Sequence, residues 1–350
     1  MHSQAITEFG KPLQRVETPT PSPTGSEVVV KVTNCGVCHS DVHIHDGFFD
    51  LGGGAKLPLA AMKLPHTLGH EIEGEVVAVG PDAKGVKVGQ RYAVFPWIGC
   101  GECPACLRNE ENYCNRPRNL GCSSGFGGGY ASHVLVPHPK YLIDYGKTPA
   151  ALAAAYMCSG LTAFGAMKKV GKLGPEDEVL VLGCGGVGMM GVQFAKALFG
   201  RGPLAADIDD GRLEAAKKAG ARKAYNTKSP DAIKQIQTDT KGGAFAVVDF
   251  VGSEATFQFA NSVVRRGGKI VIVGLFGGGM AMPIPMFPMR ALTIQGSFVG
   301  SLTETEEMMA MVRSGKIDPI PVQTRALDQA SQTLDDLRAG KITGRVVLTP

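Results

Sequence analysis

The stretch that decides the fold reads VLVLGCGGVG, residues 179–188, an apolar run that leads into a glycine-rich turn. The apolar run predicts a buried strand, and the composition of residues 187–199 predicts a helix. Gly183 permits the tight turn, Gly185 lets the backbone approach a pyrophosphate, and Gly188 lets the helix pack on the strand. The turn, with Gly186 and Val187 at its helical end, therefore predicts a cradle for the phosphates of a dinucleotide.

An acidic residue further along the chain bears on which dinucleotide would bind. Asp207 ends the next predicted strand, about 20 residues beyond the turn, the usual spacing in dinucleotide-binding units. A carboxylate there accepts both ribose hydroxyls of NAD and repels the 2′-phosphate of NADP. Asp209 and Asp210 lie within one helical turn, so the identity of the acid stays open among the three.

Outward from this unit, the middle of the chain alternates apolar strands with helical segments. This alternation indicates βαβ units and a parallel sheet. The predicted strands are 179–182, 204–206, 247–250 and 270–273, and the predicted helices are 187–199, 212–219 and 254–264.

Both ends of the chain lack that rhythm. The first half has short β-branched runs separated by glycine and proline, then a segment of helical composition from residue 150 to 169. A helix and a final strand are expected after residue 297. The fold class is therefore α/β, a doubly wound parallel sheet plus a β-rich domain. The β-branched runs of the first half are 28–32, 72–79, 92–95 and 134–136. The late helix is expected over 304–313 and the final strand over 345–348.

Composition excludes several classes of protein. A length of 350 residues fits two domains, and a net charge of +4 without blocks of like charge argues against nucleic-acid binding. No apolar run reaches the ~18 residues of a membrane span, and Met1-His2-Ser3-Gln4 lacks the order of a secretory signal. Nine cysteines, an odd number, argue against a disulfide framework. We expect a cytoplasmic protein with no membrane partner.

Four of the cysteines are clustered. Cys100, Cys103, Cys106 and Cys114 have spacings of two, two and seven residues, which suits a closed tetrahedral zinc site of structural type. An iron–sulfur cluster is disfavoured because its usual run has a three-residue gap followed by Cys-Pro. A zinc-stabilised nucleic-acid-binding module is disfavoured because acidic and basic residues cancel around the loop.

Three further segments are unremarkable singly but specific in combination. They are Cys38-His39-Ser40-Asp41, Gly69-His70-Glu71 and Cys158-Ser159-Gly160-Leu161-Thr162. In this order, with the four-cysteine loop and the glycine turn, the chain resembles the zinc-dependent medium-chain alcohol dehydrogenases over essentially its whole length. The resemblance implies a GroES-like catalytic domain over 1–158 with a structural zinc loop at 97–116. It also implies a Rossmann-type NAD-binding domain over 159–297 and a return to the catalytic domain over 298–350.

The resemblance also implies the catalytic groups. Cys38, His70 and Cys158 would ligate a catalytic zinc, giving two zinc ions per chain, and Asp41 would orient His70. Glu71 would be a further carboxylate near the metal. Ser40 would take the alcohol proton and pass it through the cofactor ribose to His43.

The remaining family positions concern the cofactor. His39 stands where a basic pyrophosphate contact is expected, although a neutral histidine holds phosphate less firmly than arginine. We expect His45 and His66 to be solvated, and Cys35, Cys122 and Cys184 to be buried apolar thiols without a role. The other residues that the resemblance assigns to the cofactor are Thr162, Arg212, Val251, Val273, Phe298 and Arg345.

The function that this implies is reversible NAD-linked oxidation of an alcohol to an aldehyde or ketone. The segment 47–65 is apolar and long, and Phe49, Leu51 and Trp97 are candidates to line an entrance, so we expect an apolar small-molecule substrate larger than ethanol. An NADPH-linked aldehyde reductase and a polyol dehydrogenase are the alternatives within the superfamily. By analogy with the family, we expect a homo-dimer or homo-tetramer.

Overall fold

The structure, a computed structural model, describes all 350 residues and arranges the strands in four sheets. The strands are β1 (His2–Ile6), β2 (Gln14–Glu17), β3 (Val28–Gly36), β4 (Phe48–Gly52), β5 (Ala55–Pro58), β6 (His66–Thr67), β7 (Glu71–Val79), β8 (Arg91–Val94), β9 (His133–Val136), β10 (Leu142–Ile143), β11 (Val179–Leu182), β12 (Leu204–Asp207), β13 (Lys223–Asn226), β14 (Ala244–Asp249), β15 (Val264–Ile272), β16 (Thr293–Gly296), β17 (Val322–Ala326) and β18 (Arg345–Thr349).

The helices are α1 (His39–Asp46), α2 (Pro104–Leu107), α3 (Ala150–Ala155), α4 (Leu161–Val170), α5 (Gly186–Phe199), α6 (Asp210–Lys218), α7 (Ala232–Asp239), α8 (Glu254–Val263), α9 (Met286–Arg290), α10 (Leu302–Arg313) and α11 (Ala330–Arg338). A π-helical turn, Tyr156–Gly160, separates α3 from α4, and short 3₁₀ turns lie at Glu111–Tyr113, Pro139–Tyr141 and Leu327–Gln329.

The middle of the chain forms a six-stranded, fully parallel sheet in the order β13-β12-β11-β14-β15-β16. This is the doubly wound order of dinucleotide-binding domains, in which ligands bind at the carboxyl ends of the strands. All four residues of β11 are buried, as expected for a strand whose two faces are both covered by helices. The predicted α/β fold with a Rossmann-type sheet is confirmed.

The β-rich part is built around β3, a nine-residue strand with neighbours on both sides. The larger sheet runs β10-β8-β7-β3-β18-β17, and β9 also pairs with β3. The last strand, β18, pairs antiparallel with β3 through Val347 and Leu348, so the end of the chain lies inside the first sheet. One apolar core continues from this sheet to one face of the parallel sheet, and we call the junction between the two domains the cleft.

A hairpin crosses towards the parallel-sheet domain. Strands β4 and β5 pair antiparallel, and their turn abuts the loop Gly277–Gly279. A Cβ atom at Gly52 would lie 2.5 Å from the backbone nitrogen of Gly279. The segment 47–65 is thus a mostly exposed hairpin that leans on the neighbouring domain.

One helical run is long and apolar enough to cross a membrane by length and composition. It covers Ala150–Val170, 21 residues, and 83% of its apolar window is buried inside the protein. The expectation that no apolar run is long enough to span a membrane is therefore wrong for residues 150–170. The burial explains the composition, because the run is a core element between the two domains.

Two sequence-based expectations about histidines are wrong. His45 and His66 are buried rather than solvated. The Nε2 atom of His45 lies 2.7 Å from the carbonyl oxygen of Lys11, and that of His66 lies 3.0 Å from the carbonyl oxygen of Gly121. Both rings are therefore satisfied by backbone acceptors that lie far away in sequence, which no local pattern reveals.

Candidate active site

Three buried side chains from distant parts of the chain meet at the cleft. Cys38 caps the N-terminus of α1, His70 directly precedes β7, and Cys158 lies in the π-helical turn. Their ligand atoms all lie within 4.8 Å of one another. π-Helical turns occur mostly as single-turn insertions at functional sites, and here one places a thiol beside another thiol and an imidazole.

Asp41 supports this triad from the first turn of α1. Its Oδ1 lies 3.2 Å from Nδ1 of His70, and its Oδ2 accepts hydrogen bonds from the backbone N–H of Cys38 and from the hydroxyl of Tyr130. Asp41 and His70 are both fully buried. The carboxylate therefore fixes the imidazole ring, with Nδ1 turned towards Asp41.

The triad fits a zinc ion. Neither ring nitrogen of the fully buried His70 has a hydrogen-bond partner, and since Nδ1 faces Asp41, Nε2 is the atom left for another group to satisfy. Contact with Cys158 holds the pKa of the Cys38 thiol well below its usual range despite its burial, which favours a thiolate. Two thiolates and an imidazole are the three-ligand set of a catalytic zinc site that keeps a fourth position open.

Glu71 lies beside the triad, and other groups hold both of its carboxylate oxygens. Oε1 accepts a hydrogen bond of 2.6 Å from the Ser159 hydroxyl, and Oε2 accepts one of 2.5 Å from the Arg345 guanidinium. Burial raises the pKa of Glu71, and the Arg345 cation opposes that rise. Sequence reasoning missed the role of Ser159, although it lies within the Cys158-Ser159-Gly160 motif.

Arg345 connects this carboxylate with the glycine-rich turn. It is buried at the start of β18, and a Cβ atom at Gly186 would lie 2.7 Å from its Cδ. Its Nε has no hydrogen-bond partner, so one donor of the guanidinium is free beside the turn. The buried position differs from that of an ordinary exposed charge at a strand end.

The groups assigned to proton transfer lie along one helix. Ser40 and His43 are three residues apart on α1, so they lie on the same face, and both are half-buried. The His43 ring packs on Phe49 of the hairpin with 5.1 Å between centroids, and burial lowers the pKa of His43.

His39, the candidate pyrophosphate contact, is solvent-exposed but flanked by protein. This partial desolvation lowers the pKa of His39, so a neutral ring is favoured at neutral pH.

The glycine-rich turn lies between β11 and α5 and leaves room for a ligand. Gly183 has φ +88, and a Cβ atom there would lie 2.5 Å from Cγ2 of Val251. A Cβ atom at Gly188 would collide with the carbonyl oxygen of Gly183, whereas one at Gly185 would meet open space. The backbone at Gly185 is thus accessible, as a pyrophosphate requires, and Val187 is half-buried on the first turn of α5.

Asp207 ends β12 and is buried beside this turn. Its Oδ2 accepts the backbone N–H of Cys184 at 2.6 Å, and its Oδ1 accepts that of Asp209 at 3.1 Å. Asp209 and Asp210 are exposed, and Asp209 caps α6 by accepting the N–H of Arg212. Of the three acids, only Asp207 is buried at the carboxyl end of the parallel sheet in contact with the glycine-rich turn.

Other residues assigned to the cofactor surround the same edge. Val251 lies two residues after the end of β14, Val273 directly follows β15, and Thr162 lies in the first turn of α4; all three are half-buried. Arg212 lies on α6, and its guanidinium is 3.4 Å from the carbonyl oxygen of Gly340. These positions suit a dinucleotide lying across the carboxyl ends of the strands.

The aromatic and apolar residues proposed for the substrate entrance do not form one group. Trp97 is 3% exposed, and its ring lies 5.4 Å from that of His70. Phe298, assigned above to the cofactor pocket, packs edge-on against Trp97 at 5.8 Å. Phe49 and Leu51 lie on the hairpin, and Leu51 is half exposed beside Gly279.

The four-cysteine loop forms a second cluster, away from the triad. Its sulfur atoms lie 3.5 to 4.0 Å apart where they contact one another, close to the ~3.8 Å edge of a tetrahedron with Zn–S bonds of ~2.3 Å. Backbone N–H groups of Glu102 and Cys103 lower the pKa of Cys100 to about 6. Four thiols in this arrangement fit a closed zinc site.

The other cysteines lie outside both clusters. Cys35 and Cys184 are buried, as expected, whereas Cys122 is only half-buried. The Cys184 thiol faces the carbonyl oxygen of Ala206 beneath the glycine-rich turn.

Both halves of the chain match family models of known proteins. Residues 24–146 match the family model of the alcohol dehydrogenase GroES-like domain, and residues 186–314 match that of the zinc-binding dehydrogenase. A curated NAD-dependent alcohol dehydrogenase of Sulfurisphaera tokodaii is 39% identical over 352 residues, covering 100% of both chains.

Solved structures agree with this placement. The alcohol dehydrogenase of Aeropyrum pernix has a TM-score of 0.90 at 28% identity, with 100% of both chains covered. Acetophenone reductase from Geotrichum candidum, solved with NAD, has a TM-score of 0.86 at 31% identity, covering 100% of this chain and 97% of its own. On these matches, the chain belongs to the zinc-dependent medium-chain alcohol dehydrogenase family.

Proposed function

We propose that this protein catalyses the reversible, NAD-linked oxidation of an alcohol to an aldehyde or ketone. The observation that carries the proposal is the buried triad Cys38, His70 and Cys158, which lies at the cleft beside a dinucleotide-binding sheet. The names of the full-length relatives support the same activity.

The triad would hold the catalytic zinc, and Cys100, Cys103, Cys106 and Cys114 would hold a structural one. The catalytic zinc would supply a Lewis acid for the substrate oxygen, and the nicotinamide would supply the hydride acceptor. Elemental analysis of the purified protein should find about two zinc ions per chain. A value of about one would contradict the proposal.

The chain's own residues would orient the substrate and move the proton. Asp41 holds the His70 ring, and Trp97 covers that ring and keeps water away from it. Ser40 Oγ would take the proton of the alcohol hydroxyl, and His43, on the same face of α1, would release it towards solvent. Burial lowers the pKa of His43, so the ring is neutral at neutral pH and would pass a proton on to solvent readily.

NAD rather than NADP is the proposed cofactor. Asp207 has two backbone N–H partners and is buried at the carboxyl end of β12, where the ribose would lie. A 2′-phosphate would approach this carboxylate, and the two negative charges would repel. NADH should therefore support aldehyde reduction far better than NADPH, and the reverse result would indicate an NADPH-linked reductase.

We propose an apolar substrate larger than ethanol. Support comes from Trp97 and Phe298, whose rings form an apolar wall beside the triad, and from the neighbour whose name specifies acetophenone. The hairpin gives less support, because Leu51 faces solvent. Values of kcat/KM for ethanol, hexanol, cyclohexanol and benzyl alcohol decide the question, and a clear preference for ethanol would contradict the proposal.

We also propose a cytoplasmic homo-dimer or homo-tetramer. The edge strand β16 is exposed on one side of the parallel sheet, and apolar residues of the preceding segment, among them Phe276 and Ile284, are exposed nearby. Exposed edges and apolar patches favour association. A reducing compartment is consistent with nine free thiols, seven of them in two metal-ligand clusters.

A further inference from the structure

A side chain of the four-cysteine loop reaches across to the segment that follows β16. Asn112 lies in the 3₁₀ turn between Cys106 and Cys114 and is 9% exposed. Its Nδ2 donates a hydrogen bond of 3.0 Å to the carbonyl oxygen of Phe298, 186 residues away in sequence. Its Oδ1 has no partner, so the bond to Phe298 is what fixes the orientation of the amide.

The backbone that receives this bond is strained. Val299, directly after Phe298, has φ +39, a left-handed conformation that a β-branched residue rarely adopts. Such a conformation persists only where the surroundings hold it in place. The α4 backbone holds one side, since a Cβ atom at Gly165 would lie 2.7 Å from the Val299 carbonyl oxygen. Asn112 holds the other side through the preceding carbonyl.

The strained turn sets the position of an aromatic wall. The Phe298 ring meets Trp97 at 5.8 Å and 70°, and the Trp97 ring lies 5.4 Å from that of His70. The indole N–H of Trp97 donates to the carbonyl oxygen of Met157, the neighbour of Cys158. A shift of Phe298 would therefore change the packing around Trp97, while the triad keeps its own contacts.

We propose that Asn112 is a positioning residue that holds the Phe298–Val299 turn, and through it links the four-cysteine loop to the outer wall of the substrate pocket. Phe298 is 44% exposed and packs against Trp97, which is buried next to His70, so the two rings form the outer and inner parts of one aromatic wall. A substrate bound at the triad that is large enough to extend past Trp97 would meet Phe298, whereas ethanol would not. The kinetic part of this inference rests on the proposed alcohol oxidation, but the structural part does not.

The test compares Asn112→Ala with Asn115→Ala, an exposed residue of the same loop, in the zinc-loaded enzyme. Trp97 is the only tryptophan, so its fluorescence reports the packing of Phe298 without any turnover. For Asn112→Ala we expect a red-shifted emission that acrylamide quenches more strongly. We also expect KM for benzyl alcohol to rise about tenfold, with kcat and the KM for ethanol within about twofold of the parent values.

Asn115→Ala should behave like the parent enzyme in every measurement. If Asn112→Ala lowers the melting temperature but leaves the Trp97 emission and the KM for benzyl alcohol unchanged, Asn112 is merely structural and the proposal is wrong. A shifted emission in a protein that oxidises no alcohol would support the positioning role and contradict the proposed function. Should Asn112→Ala fail to fold, Asn112→Gln, which keeps an amide but displaces it by one methylene, carries the same test.

Discussion

The buried carboxylates Asp207 and Glu71 have different hydrogen-bond and ion-pair partners, and these partners suit them to different roles. Asp207 accepts two backbone N–H groups and pairs with no cation, so its charge remains available to a ligand. Glu71 is neutralised by Arg345 and held by Ser159, which makes it a support for the site. The chemical identity of a residue therefore does not fix its role until its partners are known.

Replacing Asp207 with asparagine should change cofactor preference. The amide loses one acceptor for the ribose and places a donor against the N–H of Cys184 or Asp209, so kcat/KM for NAD should fall roughly 10- to 100-fold. Loss of the negative charge should raise the relative rate with NADP. Steady-state rates with both cofactors test this. The matched control is Asp210→Asn, an exposed acid on the next helix, and equal effects of the two changes would contradict the assignment.

His66 should make stability sensitive to acid. Burial lowers its pKa in the folded protein, so the unfolded chain binds a proton at a higher pH than the native state does. Its contribution to stability is therefore complete above the ordinary histidine pKa and is lost as the pH falls through the lowered one. His66→Gln should flatten the decline of melting temperature between pH 7 and pH 5, whereas His138→Gln, at an exposed site, should not.

At the scale of elements, sequence reasoning succeeds where an apolar run is long enough to be read and fails where packing decides. Strands β11, β12 and β14 are buried and apolar, so they stand out. Strands β13 and β16 are short, partly exposed edge strands without an apolar run, and both escaped prediction. The composition of residues 150–169 predicts helix, but the π-helical turn that orients Cys158 leaves no periodic signal.

The four-cysteine loop should depend on its metal for order. Within residues 100–114, the only buried apolar side chains are those of Cys106 and Cys114, so metal ligation would replace the missing core. Cys106→Ser should reduce the zinc content by about one ion per chain and expose residues 100–114 to proteolysis. Cys122→Ser, at a half-buried thiol outside both clusters, should change neither. Unchanged zinc in Cys106→Ser would rule out this site.

The β4–β5 hairpin allows a test of its contact with the parallel-sheet domain. Gly52 and Gly54 both have φ +82, so alanine at either position carries a similar backbone penalty. Only at Gly52 would the added Cβ also collide with the backbone of Gly278 and Gly279. Because this contact spans the cleft, Gly52→Ala should weaken NADH binding about tenfold, or ~1.4 kcal/mol. Gly54→Ala should not, and equal dissociation constants would show the contact to be incidental.

At the scale of the whole molecule, the chain passes from the β-rich domain into the parallel sheet and back. The glycine-rich turn and the alternation around it sufficed to predict the parallel sheet. The meeting of Cys38, His70 and Cys158 could be anticipated only from the family resemblance, because no local pattern joins residues so far apart. Contacts such as Asn112 with Phe298 depend on how the domains pack, and the sequence carries no sign of them.

Self-association should depend on the exposed apolar segment before β16. Ile284 is 81% exposed, which is unfavourable for an isolated chain and favourable at an interface. Ile284→Glu should shift the assembly towards smaller species in light scattering after size exclusion. Val88→Glu introduces the same charge at an exposed valine elsewhere and should leave the mass unchanged. An unaltered mass for Ile284→Glu would place any interface elsewhere.

The position of β18 inside the first sheet has a consequence for biosynthesis. On the ribosome, the parallel-sheet domain is complete well before residues 345–349 emerge, whereas β3 must wait for them to fill its side of the sheet. The nascent N-terminal half therefore remains open, with its thiols unprotected, until β18 has emerged. Termination before residue 345 would remove Arg345 and β18 together, and would leave a finished parallel-sheet domain attached to a sheet that cannot close.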